Sequence, residues 1–305
     1  MIQFLTRRVL LMLLTLFVVS VLVFTMSRIQ GDPRTMFMNR GVTQEMWDAW
    51  GKEMGLDKPL PIQYLVWASK AARGDLGDSL WERRAVTTSI FEKLPATVQL
   101  GFTTFLFSVV IGIPLGVLSA VHRGTTVDLI GRFIAVTGQA LPPFWIGLML
   151  ILVFAVWLDW LPAAKKGGLD SYILPTITLG WLFAASILRL VRSSMLSVLD
   201  EEFIKLARAK GVRNTSVIWK HAFKNAAAAP LTYSGLLLAG LCTGTVVTES
   251  VFGWPGIGRL SIDAVLQNDF PMLAGLVLLF TLLFIIGNLV VDIVLALIDP
   301  RVRYS

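Results

Sequence analysis

Charge is scarce in this 305-residue chain. Asp, Glu, Lys and Arg make up 15% of it, against roughly 25% in soluble domains. That excludes a disordered chain and argues against a soluble globule, which needs more polar surface than this to cover its core. Cysteine is nearly missing: the single Cys242 excludes an internal disulfide and a Cys-based zinc site. Histidine is confined to His122 and His221, and no residue cluster suggests a metal centre. No G-x-x-x-x-G-K-[ST] loop occurs, so ATP is not held here by a phosphate loop. Neither H-E-x-x-H nor G-x-S-x-G is present, which removes the metalloprotease and serine-hydrolase signatures. A TVGYG potassium filter is lacking too. Internal repeats and low-complexity tracts are not evident.

What is abundant is apolar sequence, 55% of the chain. Six stretches carry no Asp, Glu, Lys or Arg: 9–27, 94–121, 133–158, 171–188, 225–248 and 270–291, with lengths of 19, 28, 26, 18, 24 and 22. About 20 apolar residues let a helix cross the hydrocarbon core. A charge at its centre costs roughly 2.5–3.5 kcal/mol even on the mild insertion scale. The expectation is therefore an all-α integral membrane protein with six transmembrane helices. The first run follows Arg7 and Arg8. It is longer than a signal-peptide core and lacks an A-x-A ending, so it reads as a retained span.

The net charge of +7 fits loops that obey the positive-inside rule rather than a nucleic-acid surface. Basic residues gather before span one, in 122–132, in 189–224 and after span six. With six spans these all fall on one side, which places both termini in the cytoplasm. Lys165 and Lys166 are a minority on the other side. The organisation expected is residues 1–28 for the N-terminal end and span one, 29–93 outside, and 94–305 for a core holding a cytoplasmic segment at 193–224.

The outer segment suggests two amphipathic helices. Trp47, Trp50 and Met54 follow Thr43, a good N-cap, at helical spacing. Ile62, Leu65, Val66 and Ser69 repeat that spacing, and Lys70, Arg73 and Gly74 then close the second helix. The pair can serve as a structural cap over the spans or as a docking surface for a soluble partner.

In the cytoplasmic segment, Asp200 suits an N-cap, and Glu201 and Glu202 suit the positive end of a helix. Phe203, Leu206, Ala207 and Lys210 follow at i, i+3, i+4 and i+7. Arg208 and Lys210 suit the negative end, and Gly211 supplies a left-handed stop. A second helix can run from Asn214 or Thr215 to about Lys224. Ala207 and Ala209 would let the first helix sink into a partner's groove. A basic helix lying on anionic lipid explains the cations equally well.

Polar residues inside the apolar runs are Gln99, Gln139, Thr243, Thr245 and Asn288, with Glu249 at the outer end of span five. They suit either a pathway wall or interhelical hydrogen bonds. Gly112 with Gly116, and Gly240 with Gly244, form G-x-x-x-G pairs that favour close helix packing. Pro114, Pro142 and Pro143 are expected to kink their spans.

The segment ARAKG at 207–211, followed by a basic helix and Asn225-Ala226, resembles the cytoplasmic loop of ABC-importer permeases. The rest of the chain is similar to the B-type subunit of the dipeptide/oligopeptide/nickel permease family. It shares, in order, GDP at 31–33, GLDKPLPIQYL at 55–65, RGDLGDSL at 73–80, LPAT at 94–97 and IGIPLG at 111–116. PPFWIGL at 142–148, ESVFGWPGIGRL at 249–260 and NLVVDIVLALIDPRVR at 288–303 complete the series. The resemblance implies the type I ABC-importer permease architecture, with a coupling helix between spans four and five. Its residues would be Glu202, Phe203, Leu206, Ala207, Arg208, Ala209, Lys210 and Gly211.

The implied partners are a second homologous permease, two ATP-binding subunits that carry ATP and Mg, an extracytoplasmic solute-binding protein and membrane lipid, with no nucleic acid. The implied place is a bacterial inner membrane. The implied solute is a di- or oligopeptide, with nickel, glutathione or another small solute as the alternative. This chain would hold no cofactor and catalyse no reaction. An ATP-independent carrier or channel is the competing class.

Overall fold

A computed structural model of the chain describes residues 2–29, 43–53, 55–164, 166–241 and 245–298. Cys242, Thr243, Gly244, Lys165 and the GDP at 31–33 lie outside them. Among the described residues the structure is helical, with one isolated bridge, Asp78 to Ala85.

The chain divides into two compact units. One unit holds residues 1–94 and 260–285, the other 95–259 and 286–305. Residues 260–285 sort with the N-terminal part. Gly275 is the local reason: a Cβ there would lie 2.7 Å from Val86 Cγ1 and 3.1 Å from Leu76 Cδ1. Only glycine lets the two backbones come that close.

The first unit begins with α1 (Ile2–Ile29), an apolar helix with Arg28 in its last turn. Then come α2 (Gln44–Glu53) and α3 (Leu60–Ala72), the amphipathic pair the residue spacing predicts. Gly74 at φ +84° follows α3, where the missing Cβ removes the steric cost of a left-handed residue. The helix α3 is fastened to α1 by Tyr64, whose hydroxyl lies 2.8 Å from Ser20 Oγ. Its ring meets Phe24 edge-on at 5.5 Å.

The turn before α4 (Val86–Val121) is held by carboxylates. Ser79 Oγ and the Trp81 N–H both donate to Asp269. Glu82 accepts from Ser89 Oγ at 2.5 Å and pairs with Arg84 at 2.8 Å and Lys93 at 3.3 Å. Burial pushes the Glu82 carboxyl up, but the bonds from Ser89 and Arg84 and the nearby Lys93 charge outweigh it and hold its pKa below the ordinary value. A carboxyl with a depressed folded pKa adds stability that is present above its unfolded pKa, about 4.3 for Glu. That stability is lost as pH falls through the folded value. The unfolding midpoint should therefore fall more steeply below about pH 4.3 in the parent than in Glu82→Gln, as read by thermal melts across pH.

The second unit continues α4 from Pro95 and adds α5 (Thr126–Ala140) and α6 (Pro143–Leu150), the latter extended by π-helical turns over Ile151–Trp157. A 3₁₀ turn at Leu169–Tyr172 leads into α7 (Ile173–Leu199). The short α8 (Glu202–Ala209) follows. Next is a helical run of α9 (Asn214–Ser216), π-helical Val217–Phe223 and α10 (Lys224–Ala226). The unit also holds α11 (Ala228–Leu241), α12 (Val246–Val251), the start of α13 (Ile257–Leu266) and the end of α14 (Phe270–Ile298).

The six apolar runs do not become six equal helices. Thr6–Ile29, Val86–Val121, Leu169–Leu199 and Phe270–Ile293 are each long and apolar enough to cross a membrane. The third run falls across a helix pair, Thr126–Ala140 and Pro143–Trp157, bent by 103°. Pro142 and Pro143 remove two N–H donors, and Leu141 before them is extended at φ −87°, ψ 129°. That break is much larger than a kink. The fifth run is divided among α10, the 14-residue α11 and the start of α12.

Gly112 and Gly116 are packing glycines, as the spacing suggests. Cβ atoms there would lie 2.8 Å from Ala184 O and 2.8 Å from Leu188 O on α7. Gly235 similarly faces Val291 of α14.

Candidate functional site

The helix α8 is built as an outrigger on α7. It begins after Glu201, whose extended backbone (φ −70°, ψ 150°) makes it the N-cap. Asp200, the expected cap, instead closes α7 in a helical conformation. At the far end Gly211 sits at φ +73°. There the Val212 N–H donates back to Ala207 O at 3.2 Å, the closing bond of a glycine-terminated helix.

Ile204 is the peg. It is fully buried and joins a cluster that includes Val191 and Met195 of α7, Val117 and Ala120 of α4, and Val217 and Ala222 beyond the turn. The residue spacing did not single it out. It emphasised Phe203, Leu206, Ala207 and Lys210, and that stripe splits in the structure. Ala207 packs against the cluster, while Phe203 and Leu206 remain 43% and 55% exposed. Glu202, Arg208, Ala209, Lys210 and Gly211 are exposed as well. The Lys205–Glu202 pair at 2.8 Å is solvated on both sides and contributes little. One face of α8 thus anchors it, and the other offers two large apolar side chains among cations.

A second feature that the residue reading missed joins α7 to α4 and α5. Asp128, in the first turn of α5, is almost fully buried and accepts four hydrogen bonds. Arg192 of α7 grips it through both carboxylate oxygens, at 2.7 and 2.9 Å. Ser119 Oγ of α4 donates at 2.7 Å, and the Gly124 N–H at 3.1 Å. The signal was available: Asp128 is the sole acid in a loop that reads as cationic. Counting that loop only for its charge hid it.

The polar residues proposed for a pathway fare differently from one another. Glu249 is completely buried and acts as a tie. Thr97 Oγ1 donates to it at 2.8 Å, and the Arg259 N–H at 3.0 Å. Thr97 in turn accepts from the Ile257 N–H at 2.9 Å. A Cβ on Gly256 or Gly258 would run into the Glu249 carboxylate. Trp254, also fully buried, donates its indole N–H to Ala96 O at 2.9 Å and meets Tyr172 edge-on. The ESVFGWPGIG segment is therefore a knot tied onto the start of α4, with its glycines placed where a carboxylate passes.

Gln99 accepts from Lys166 Nζ at 2.5 Å and from the Tyr172 hydroxyl at 2.9 Å. Thr245 caps α12 one turn before Glu249. Gln139 and Asn288 are half-buried, and no hydrogen bond among the described residues joins them to this group. The buried Gln139 Nε2 has no partner there. Thr243 lies outside the described residues. No group of three or more His, Cys, Asp or Glu among the described residues is arranged to hold a metal.

Comparison with known proteins now bears on this arrangement. Residues 112–304 match the family described as binding-protein-dependent transport system inner membrane component, and 1–101 match its N-terminal companion. The chain belongs to this family. Along its full length, and theirs, it is 39% identical to the glutathione transport system permease protein GsiC of Escherichia coli K12 and of Shigella dysenteriae.

Among solved structures, the inward-facing MetNI methionine ABC transporter superposes with a TM-score of 0.56 over 68% of this chain and 95% of that one, at 19% identity. An amino acid ABC transporter crystallised with histidines gives 0.53 over 70% and 94%, at 14% identity. At those identities the likeness is one of fold. The chain is accordingly a multi-pass membrane permease of a bacterial ABC importer for a small solute, and it is not itself an enzyme.

Proposed function

We propose that this permease carries a short peptide, in the size class of the tripeptide glutathione. It works as one of two unlike permease subunits above two ATPase subunits, with a soluble binding protein delivering the solute on the outer face. The observation that carries the solute class is the full-length identity to glutathione permeases. In this reading the termini and α8 are cytoplasmic, and α2 and α3 lie outside. The positive-inside distribution of loop cations supports that orientation. Gln99, Gln139, Thr243, Thr245 and Asn288 remain candidates for the pathway wall.

The helix α8 is the ATPase-coupling element. Ile204 welds it to α7, and Phe203 and Leu206 project away from that weld. A push on the exposed face is thereby carried into a long helix. The test is uptake of labelled glutathione and other tripeptides by proteoliposomes holding the complete transporter. Leu206→Glu with Phe203→Ser should cut ATP-driven uptake at least tenfold while leaving the unfolding midpoint within a degree or two. Uptake at the parent rate would sink the coupling role. Uptake of metal ions but no peptide would sink the solute class.

A further inference from the structure

Lys166 breaks the charge pattern of the loops. With Lys165 it is a cationic exception on the side that the positive-inside rule leaves poor in base, and neither α8 nor the knot uses it. Its Nζ donates to Gln99 Oε1 of α4 at 2.5 Å, across 67 residues of chain. The Tyr172 hydroxyl, at the entry to α7, donates to the same oxygen at 2.9 Å. Among the described residues no ion pair reaches Lys166. Asp170, the acid nearest to it in sequence, accepts instead from the Ser171 N–H at 3.0 Å. An ammonium and a phenol thus converge on one neutral amide oxygen. Both donors would bind a carboxylate oxygen more strongly, because a charged acceptor shortens and strengthens the bond.

An ordinary surface lysine extends its ammonium into water. This one is folded back onto a helix, and its surroundings are fixed. The Gly167 N–H donates to Ser171 Oγ at 3.0 Å, and that hydroxyl donates to Gly168 O at 2.6 Å. Ser171 is buried, so it staples the loop carrying Lys166 to the turn before α7. The Tyr172 ring meets Trp254 edge-on at 4.7 Å, and Trp254 is tied to Ala96 O, three residues before Gln99. Lys166 and Gln99 are themselves exposed, so a ligand can reach them. One turn further along both helices, the Thr103 and Thr176 hydroxyls repeat the contact at 3.0 Å. Four residues along a helix is about 6 Å. A polar seam therefore runs from Lys166 along the joint of α4 and α7.

We propose that Lys166, Tyr172 and Gln99 form a subsite for a carboxylate of the solute. The inference rests on the short-peptide reading above and adds the chemical group that is recognised. The carboxylate takes the place of Gln99 Oε1 as acceptor for the Lys166 and Tyr172 donors, and the released amide turns its own Nε2 donors toward it. Glutathione suits such a subsite. It has two carboxyls against one amine and is net anionic at neutral pH. A bare metal cation would be repelled by the same ammonium.

The experiment is competitive uptake by proteoliposomes holding the complete transporter. Labelled glutathione and labelled trialanine are each set against their own carboxyl monoamides. The parent should prefer the free acid, and Lys166→Met should shrink that preference about tenfold, the lower end for a hydrogen bond to a charged group. Lys166→Arg should keep it. Tyr172→Phe retains the ring against Trp254 and should lose a smaller part, about twofold. The binding protein is the same in every sample, so a change in preference belongs to the permease. An unchanged preference in Lys166→Met, with peptide still carried, would overturn the subsite and leave the short-peptide reading standing. Equal loss of uptake for acid and amide would do the same, by making Lys166 a structural residue. Failure of the parent to carry either peptide would overturn the solute class and the subsite together.

Discussion

Asp128→Ala should lower stability by about 3–5 kcal/mol, the cost of breaking a buried ion pair from one side. It should also be the most destabilising single change in the chain. The carboxylate is 2% exposed and the guanidinium of Arg192 22%. Truncation strands a cation that cannot turn fully to water, together with the Ser119 hydroxyl and the Gly124 N–H. Joint replacement, Asp128→Leu with Arg192→Met, should recover most of the loss, since apolar pairs of similar volume often match buried ion pairs. Thermal unfolding of the four proteins in one detergent yields the coupling energy directly. A double variant as unstable as the sum of the singles would refute the pairing. The pair matters for function because it joins α4, α5 and α7, and α7 carries α8. A looser joint there should also uncouple uptake from ATP hydrolysis.

The second large effect is expected at Glu249. Glu249→Ala should cost about 2–4 kcal/mol, because the buried Thr97 hydroxyl and the part-buried Arg259 N–H lose their acceptor, at about 1–3 kcal/mol for a fully buried donor. Trp254 reports the damage: it is buried against Tyr172 at a ring separation of 4.7 Å, and its emission should shift to the red at temperatures where the parent is intact. If Glu249 instead served the solute, uptake would fall while the unfolding midpoint and the Trp254 emission stayed put. Thr97→Val should reproduce part of the loss. It removes the hydroxyl that links Glu249 to the Ile257 N–H while keeping the shape of the side chain.

Much of the fold could be read from residues because a membrane imposes a simple rule. Charge is excluded from the hydrocarbon, so the apolar runs mark their own ends. Local chemistry placed other features with equal economy. Gly211 stops α8 and Gly74 follows α3, since a left-handed residue favours glycine whatever surrounds it. The spacing after Thr43 and through Ile62–Ser69 foretold α2 and α3. The same local rules misplaced the N-cap at Asp200, because α7 runs about three turns further than its apolar stretch and claims that residue for its own end.

Sequence by itself determined that this chain is helical and membrane-spanning, with a short glycine-stopped helix between its fourth and fifth apolar runs, and its resemblance to a permease family pointed to transport. The former properties depend on composition and on neighbours within a few residues. Only the tertiary structure decided which face of α8 is spent on anchoring, through Ile204. Only it showed that the chain bends by 103° between α5 and α6 at Pro142 and Pro143, and that Asp128 meets Arg192 across 64 residues of chain. It also placed Glu249 in a buried knot. Each of these depends on what a distant segment brings to the same point. A carboxylate reads the same in sequence whether it faces water, a solute or four hydrogen-bond donors, and the packed neighbours alone set the difference.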